Sequence, residues 1–187
     1  SEIGPRRAFG TGSSAACLLR LHTIQMYSMS IKPLHLRSHF SLLQGLKSPE
    51  RLCVLAAAAG HDTLGLVDVN NFYGLPDFLA AAAEHGLKPT VGVDLVVGGR
   101  RLVTAYCLDR AGFGRLCGML TRLLGGPRPP EDASDAAAAY APLDDLARNG
   151  WQGLVLVSDE PDVLDRLLAV DRRDLLAGLV WGRPFRE

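Results

Sequence analysis

An α/β fold of parallel strands alternating with helices is predicted by three observations. Apolar runs of strand length, such as TLGLVD (63–68) and PTVGVDLVV (89–97), alternate with stretches of helical pattern. The helical stretches carry their own start and stop signals. Gly and Pro punctuate the joins at regular intervals. Right-handed crossovers would bring the strand C-termini to one rim, where sites form in such folds.

In order along the chain, PLHLR (33–37) reads as a short strand, with Leu34 and Leu36 alternating with His35 and Arg37. SPERLCVLAAAAG (48–60) has Ser48 as N-cap, Pro49 in the first turn and Gly60 as stop, hence a helix. TLGLVD is the next strand, and its continuous apolar character suits a strand covered on both faces. After the NNFYG loop, LPDFLAAAAEHG (75–86) is a second helix closed by Gly86. PTVGVDLVV follows as a strand, and Gly98-Gly99 turns the chain back into RRLVTAYCLD (100–109). In AGFGRLCGMLTRLLGG (111–126), Phe113, Leu116, Leu120 and Leu123 recur at three and four, a helical spacing. Beyond it come a short helix at PLDDLARNG, a strand at GLVLVSD (153–159), a helix at PDVLDRLL and a strand at LVW (179–181).

The organisation expected is a 1–31 extension, core βα units over 32–126, a Pro/Ala-rich linker at 127–141 and a further βα segment over 142–187. The extension is rich in Ser, Gly and Arg, and it reads as disordered or non-native sequence ahead of a start at Met26 or Met29. With 20 basic and 20 acidic residues the formal net charge is zero, so no global field favours nucleic acid or an anionic membrane. No apolar run approaches the roughly 18 residues of a membrane span. Four cysteines without a C-x-x-C pair read as small buried thiols of a reducing cytoplasm.

Three strand ends carry chemistry. The first presents His35 and Arg37 on one side of the pleat, the second ends in Asp68 and Val69, and the third carries Asp94. A His and two carboxylates on adjacent strands can converge on a hydrolytic metal, since imidazole nitrogen and carboxylate oxygen suit Zn or Mn. His39 follows closely as a replacement ligand or a solvated loop histidine. Asn70, Asn71 and Tyr73 are rim contacts for a ligand, or simply turn residues. Arg100 and Arg101 read as a solvated hairpin.

These stretches resemble a known family. PLHLRSHFSLLQGLKSPERL and LGLVDVNNFYGLPDFLAAAAEHGLKPTVGVDL look like the opening of the PHP (polymerase and histidinol phosphatase) domain, in the version found in the bacterial DNA polymerase III alpha subunit and its error-prone relatives. GFGRLCGMLTRLL (112–124) and WQGLVLVSDE (151–160) mirror later segments of the same pattern, so the likeness spans roughly residues 32–160. It implies a partial PHP-type (β/α) barrel, truncated here. It also implies that His35, Asp68 and, as a shortened Glu, Asp94 stand at metal-ligand positions, with Arg37 and Val69 in place of two further ligands.

A guanidinium has no lone pair to donate and Val offers only methyls. The expected site is therefore vestigial and without a cofactor, with Zn or Mn as the metal should it work. Arg37 is expected to supply the missing positive charge between Asp68 and Asp94. The family reading makes the chain a structural part of a DNA polymerase III alpha-like protein that supports replication or translesion repair synthesis. Its partner is the palm and thumb of the polymerase, DNA is met only through them, and no membrane is involved. The family's paired catalytic aspartates belong to the palm, and no D-x-D occurs here, so whether this chain is itself an enzyme stays open. Two alternatives remain: a stand-alone metal-dependent phosphoesterase acting on phosphate monoesters or DNA 3′ ends, and an inactive fragment.

Overall fold

In a computed structural model, residues 31–125 and 135–179 are described. Helix α1 (Pro49–Ala58) starts where expected: the Ser48 hydroxyl accepts the Arg51 N–H at 3.3 Å and Pro49 occupies the first turn. Gly60, at φ 78°, ends it. Strand β1 (Thr63–Val69), helix α2 (Leu75–Glu84) and strand β2 (Lys88–Val97) follow. Gly98 and Gly99 both have positive φ, which a two-residue hairpin turn requires, and they lead into β3 (Arg100–Cys107). The chain continues with α3 (Arg110–Gly125), α4 (Asp135–Asn149), β4 (Leu154–Ser158), α5 (Pro161–Leu168) and β5 (Leu175–Ala177).

The five strands form one sheet in sequence order. β1 pairs with β2, and β4 with β5, in parallel, whereas β3 runs antiparallel to both of its neighbours. The fold is thus α/β with a mixed sheet, the glycine turn being what reverses β3.

Alternation along the strands divides the sheet into two faces. Leu64 and Leu66 of β1 join Phe78, Ala81, Ala82 and Cys53 of the first two helices in one buried cluster. Val93, Leu95, Val103, Ala105, Leu154 and Leu156 join Leu116, Leu120, Leu146 and Val163 of the later helices in another. The strand register puts both clusters on the same face, the one that the helices cover. The opposite face carries Asp94, Thr104, Tyr106 and Val157, and this is where polar chemistry collects.

Three local departures matter. PLHLR forms a single bridge, Leu36 to Leu66, instead of a strand. Three backbone hydrogen bonds to β1 hold it there, from Leu36 N to Gly65 O, Gly65 N to Pro33 O and Val67 N to Leu36 O. Gly65 is required by this approach, since a Cβ would lie 1.9 Å from the Leu34 carbonyl oxygen. Helix α4 begins at Asp135, inside the segment read as a linker; DAAAAY carries four alanines, the strongest helix former, and Pro142 is accommodated within the helix. The last strand is Leu175–Ala177 instead of LVW; residues 180 and 181, like the 1–30 extension and residues 126–134, lie outside the described residues.

Candidate functional site

His35 and Arg37 flank Leu36, whose side chain packs toward the helical layer, so their own side chains emerge on the polar face. From there they reach across β1 to Asp94 of β2. The His35 Nε2 lies 3.1 Å from Asp94 Oδ2, and Arg37 donates to the same oxygen from Nε at 2.9 Å and again from Nη2. Arg37 Nη1 donates to Gln44 Oε1 at 2.5 Å. The other carboxylate oxygen, Asp94 Oδ1, accepts the Thr104 hydroxyl at 2.5 Å.

Asp94 is 0% exposed, while a quarter of the Arg37 side chain meets solvent. Burial alone would raise the Asp94 carboxyl. The hydrogen bonds of His35 and Thr104, the charge of His35 and the hydrogen bond of Arg37 outweigh it and hold the group below its ordinary value. The same charge marks a neighbour: the Tyr106 phenol is pushed up to about 12, first by burial and then by Asp94.

Asp68 meets different chemistry. The register pairs Asp94 with Val69, not with Asp68, so alternation sends Asp68 to the helical side of the sheet. There it accepts the Ser38 amide at 2.8 Å, the Ser38 hydroxyl at 2.7 Å and the Ser41 hydroxyl at 2.6 Å. Arg37 therefore does not lie between two facing acids; it serves Asp94, and the 38–41 turn serves Asp68. Val69 contributes its amide, which donates to Ser41 Oγ at 3.0 Å.

The remaining rim residues divide by role. His39 is exposed and stacks on Phe40, with ring centroids 4.4 Å apart. Asn70, at φ 53°, exchanges two hydrogen bonds with the Val96 backbone, at 2.6 and 2.9 Å. Asn71 donates to the carbonyls of Phe40 and Val69 and accepts from Tyr73 N. Tyr73 itself stands out into solvent. Both asparagines act as backbone staples around the end of β1.

Thr104 and Gln44 were not singled out by the sequence, nor was the pairing of the basic hairpin. Arg101 binds Asp159 at 2.7 Å, and Arg100 binds Glu160 and Asp162 at 2.9 and 2.6 Å. Arg100, Arg101, Asp159 and Glu160 line, with Arg37 and Gln44, a cavity of about 560 Å³ in which every guanidinium faces a carboxylate. The signal for Thr104 was its place on the strand after the glycine turn, obscured by a bulge in the β2–β3 pairing at Leu95/Val96.

These residues do not fit a Zn or Mn centre. Among the described residues no group of three or more His, Cys, Asp and Glu side chains is placed to hold a metal ion. His35 and Asp94 are two donors only, Asp68 has both oxygens committed on the other face, and a guanidinium lies against the carboxylate.

Comparison with known proteins places this geometry in a family. Residues 33–169 match the PHP domain. Error-prone DNA polymerase 1 of Agrobacterium fabrum is 33% identical over 144 residues, covering 77% of this chain and 12% of the relative. The error-prone DNA polymerase of Anaeromyxobacter dehalogenans (strain 2CP-C) is 37% identical over 157 residues, covering 77% and 14%. The chain spans about an eighth of the length of these curated relatives. Among solved structures, an amidohydrolase from Chromobacterium violaceum aligns at 18% identity with a TM-score of 0.47, covering 78% of this chain and 75% of that one. With the match running from Pro33 through α5, the chain belongs to the PHP domain family.

Proposed function

We propose that this chain is the PHP portion of a DNA polymerase III alpha-like protein and that it works there as a structural part, supporting replication or translesion repair synthesis in the cytoplasm. One observation carries the reading: relatives at 33% and 37% identity over three quarters of the chain are error-prone DNA polymerases. The palm and thumb of such a polymerase are the partner proposed, and DNA is reached only through them. The neutral formal charge agrees with a domain that does not itself collect phosphates, since useful affinity for DNA needs several phosphate contacts. Nucleotidyl transfer is assigned to the polymerase body, because no D-x-D occurs in this sequence.

The test is the size of the native protein in a lysate of its source, by immunoblot with an antibody raised against residues 33–125. A band several times the 20.1 kDa of this chain is expected. A band near 20.1 kDa would sink the polymerase reading and turn attention to phosphatase assays on the free domain.

A further inference from the structure

We propose that Arg37 is the permanent cation of this site: its guanidinium fills a ligand position and also supplies the charge a metal would bring, so the centre closes as an ionic clasp without any metal ion. This does not rest on the polymerase reading and concerns the domain alone.

Three observations carry it. First, both oxygens of Asp94 are engaged. His35 Nε2, Arg37 Nε and Arg37 Nη2 converge on Oδ2, and Thr104 Oγ1 donates to Oδ1. A carboxylate oxygen offers about two lone-pair directions, so a metal ion approaching Oδ2 would have to displace a donor. Second, the other acid of the site is spent elsewhere, since Asp68 takes three donors from Ser38 and Ser41 on the opposite face of the sheet. Third, Arg37 is itself anchored. Gln44 holds the Nη1 end while Asp94 takes Nε and Nη2, so the planar fork is fixed at both ends.

The clasp also has a mechanical task. Residues 33–47 are held on β1 by the Leu36 bridge and by the Ser38 and Ser41 bonds to Asp68 and Val69, and on the polar face the hydrogen bonds of His35 and Arg37 to Asp94 tie the segment on to β2. A fixed cation serves that task independently of metal supply. Arg37 acts as a positioning residue, not a catalytic one.

The experiment is thermal unfolding of the 187-residue chain and of its Arg37→Met and Arg37→Lys variants, each with EDTA, with added Mn²⁺ and with added Zn²⁺. Metal content after dialysis is measured in parallel. The expected wild-type result is no retained stoichiometric metal and a midpoint unmoved by EDTA. R37M should lower the midpoint on the order of 10 °C, the effect of leaving a buried carboxylate without its fixed cation. R37K should recover part of that loss, because it restores charge without the paired Nε and Nη2 donors. Three results would each overturn the proposal: a wild-type chain that keeps one or more Zn²⁺ or Mn²⁺ and loses stability in EDTA, an R37M chain as stable as wild type, or R37K no better than R37M. Should R37M fail to fold, the wild-type metal content and the R37K midpoint still decide.

Discussion

Asp94 and Thr104 face each other because β3 carries one extra residue. The pairing runs Val97 to Arg100 and Val96 to Arg101, then jumps at Leu95/Val96 to Leu95 with Val103 and Asp94 with Thr104. Without that bulge, Val103 would stand opposite Asp94 and a methyl pair would meet a buried carboxylate. Thr104→Val keeps the shape of the side chain and deletes the donor, so it should cost about 1.5–3 kcal/mol in urea unfolding. A change under ~0.5 kcal/mol would mean that this hydroxyl does not matter to Asp94.

The depressed Asp94 also sets a pH dependence. A carboxyl held lower in the folded than in the unfolded state adds stability above its unfolded value, near 3.9, and that contribution drains away as pH falls through the folded value. Unfolding free energy should therefore decline with acid below about pH 4, and less steeply in Thr104→Val, where the depression is smaller. Parallel denaturation curves for the two proteins from pH 7 to pH 3 would contradict this. At this scale the sequence showed much: alternation alone put His35 and Arg37 on one side, and both reach Asp94. It could not show the bulge, which no residue type announces, and so Thr104 went unread. It also set Asp68 against Asp94, because the relative register of two parallel strands is invisible along the chain.

At the level of elements, the turn between His35 and α1 is the least ordinary part of the fold. Leu42, Leu43 and Leu46 are 82%, 103% and 94% exposed, and Leu43 holds φ 61°. A left-handed conformation costs a non-glycine residue about 1–2 kcal/mol. Leu43→Gly relieves it while adding about 0.5–1 kcal/mol of unfolded-state entropy, so a net gain of up to about 1 kcal/mol is expected in chemical denaturation. Gly45 is the opposite case: a Cβ there would lie 1.9 Å from the Ser38 carbonyl oxygen, on backbone that cannot yield without disturbing Asp68. Gly45→Ala should cost more than ~2 kcal/mol, and an unchanged midpoint would show the turn to be softer than its hydrogen bonds suggest.

Most helices and strands were legible to within a residue or two, because capping and periodicity are local signals; the last strand, expected at LVW, lies instead at Leu175–Ala177. Ser48, Pro49 and Gly60 bound α1 as read. PLHLR is an exception with a non-local cause: it alternates like a strand, yet it becomes a single bridge where β1 accepts it only at Leu66. Helix α4 starts at Asp135, ahead of the PLDDLARNG stretch, because four alanines carry the helix back toward a Pro-rich stretch that has the composition of a linker.

Across the whole molecule, the α/β class followed from the alternation of elements and the reversal of β3 from the Gly98-Gly99 turn, while the antiparallel pairing of β3 with β4 depended on a contact that a pattern of apolar residues does not encode. The helical face is not one continuous core. The cluster built on α1, β1 and α2 relies on alanine and cysteine beside a few large side chains, whereas the cluster on the later strands is built largely from leucine, with Met119 and Trp151. Less apolar surface per residue means a weaker unit, and such units open first in the native state. The 33–47 segment sits with the weaker unit through Leu36, while Asp94 and Thr104 belong to strands of the stronger one. The Arg37–Asp94 pair consequently couples two regions of unequal strength, and its value lies in cooperativity. Native-state hydrogen exchange should find the amides of α1 and β1 opening together with those of β3 in the wild-type chain. In Arg37→Met the amides of α1 and β1 should exchange through a separate, cheaper opening, so that a protein which melts as one body comes apart in two steps.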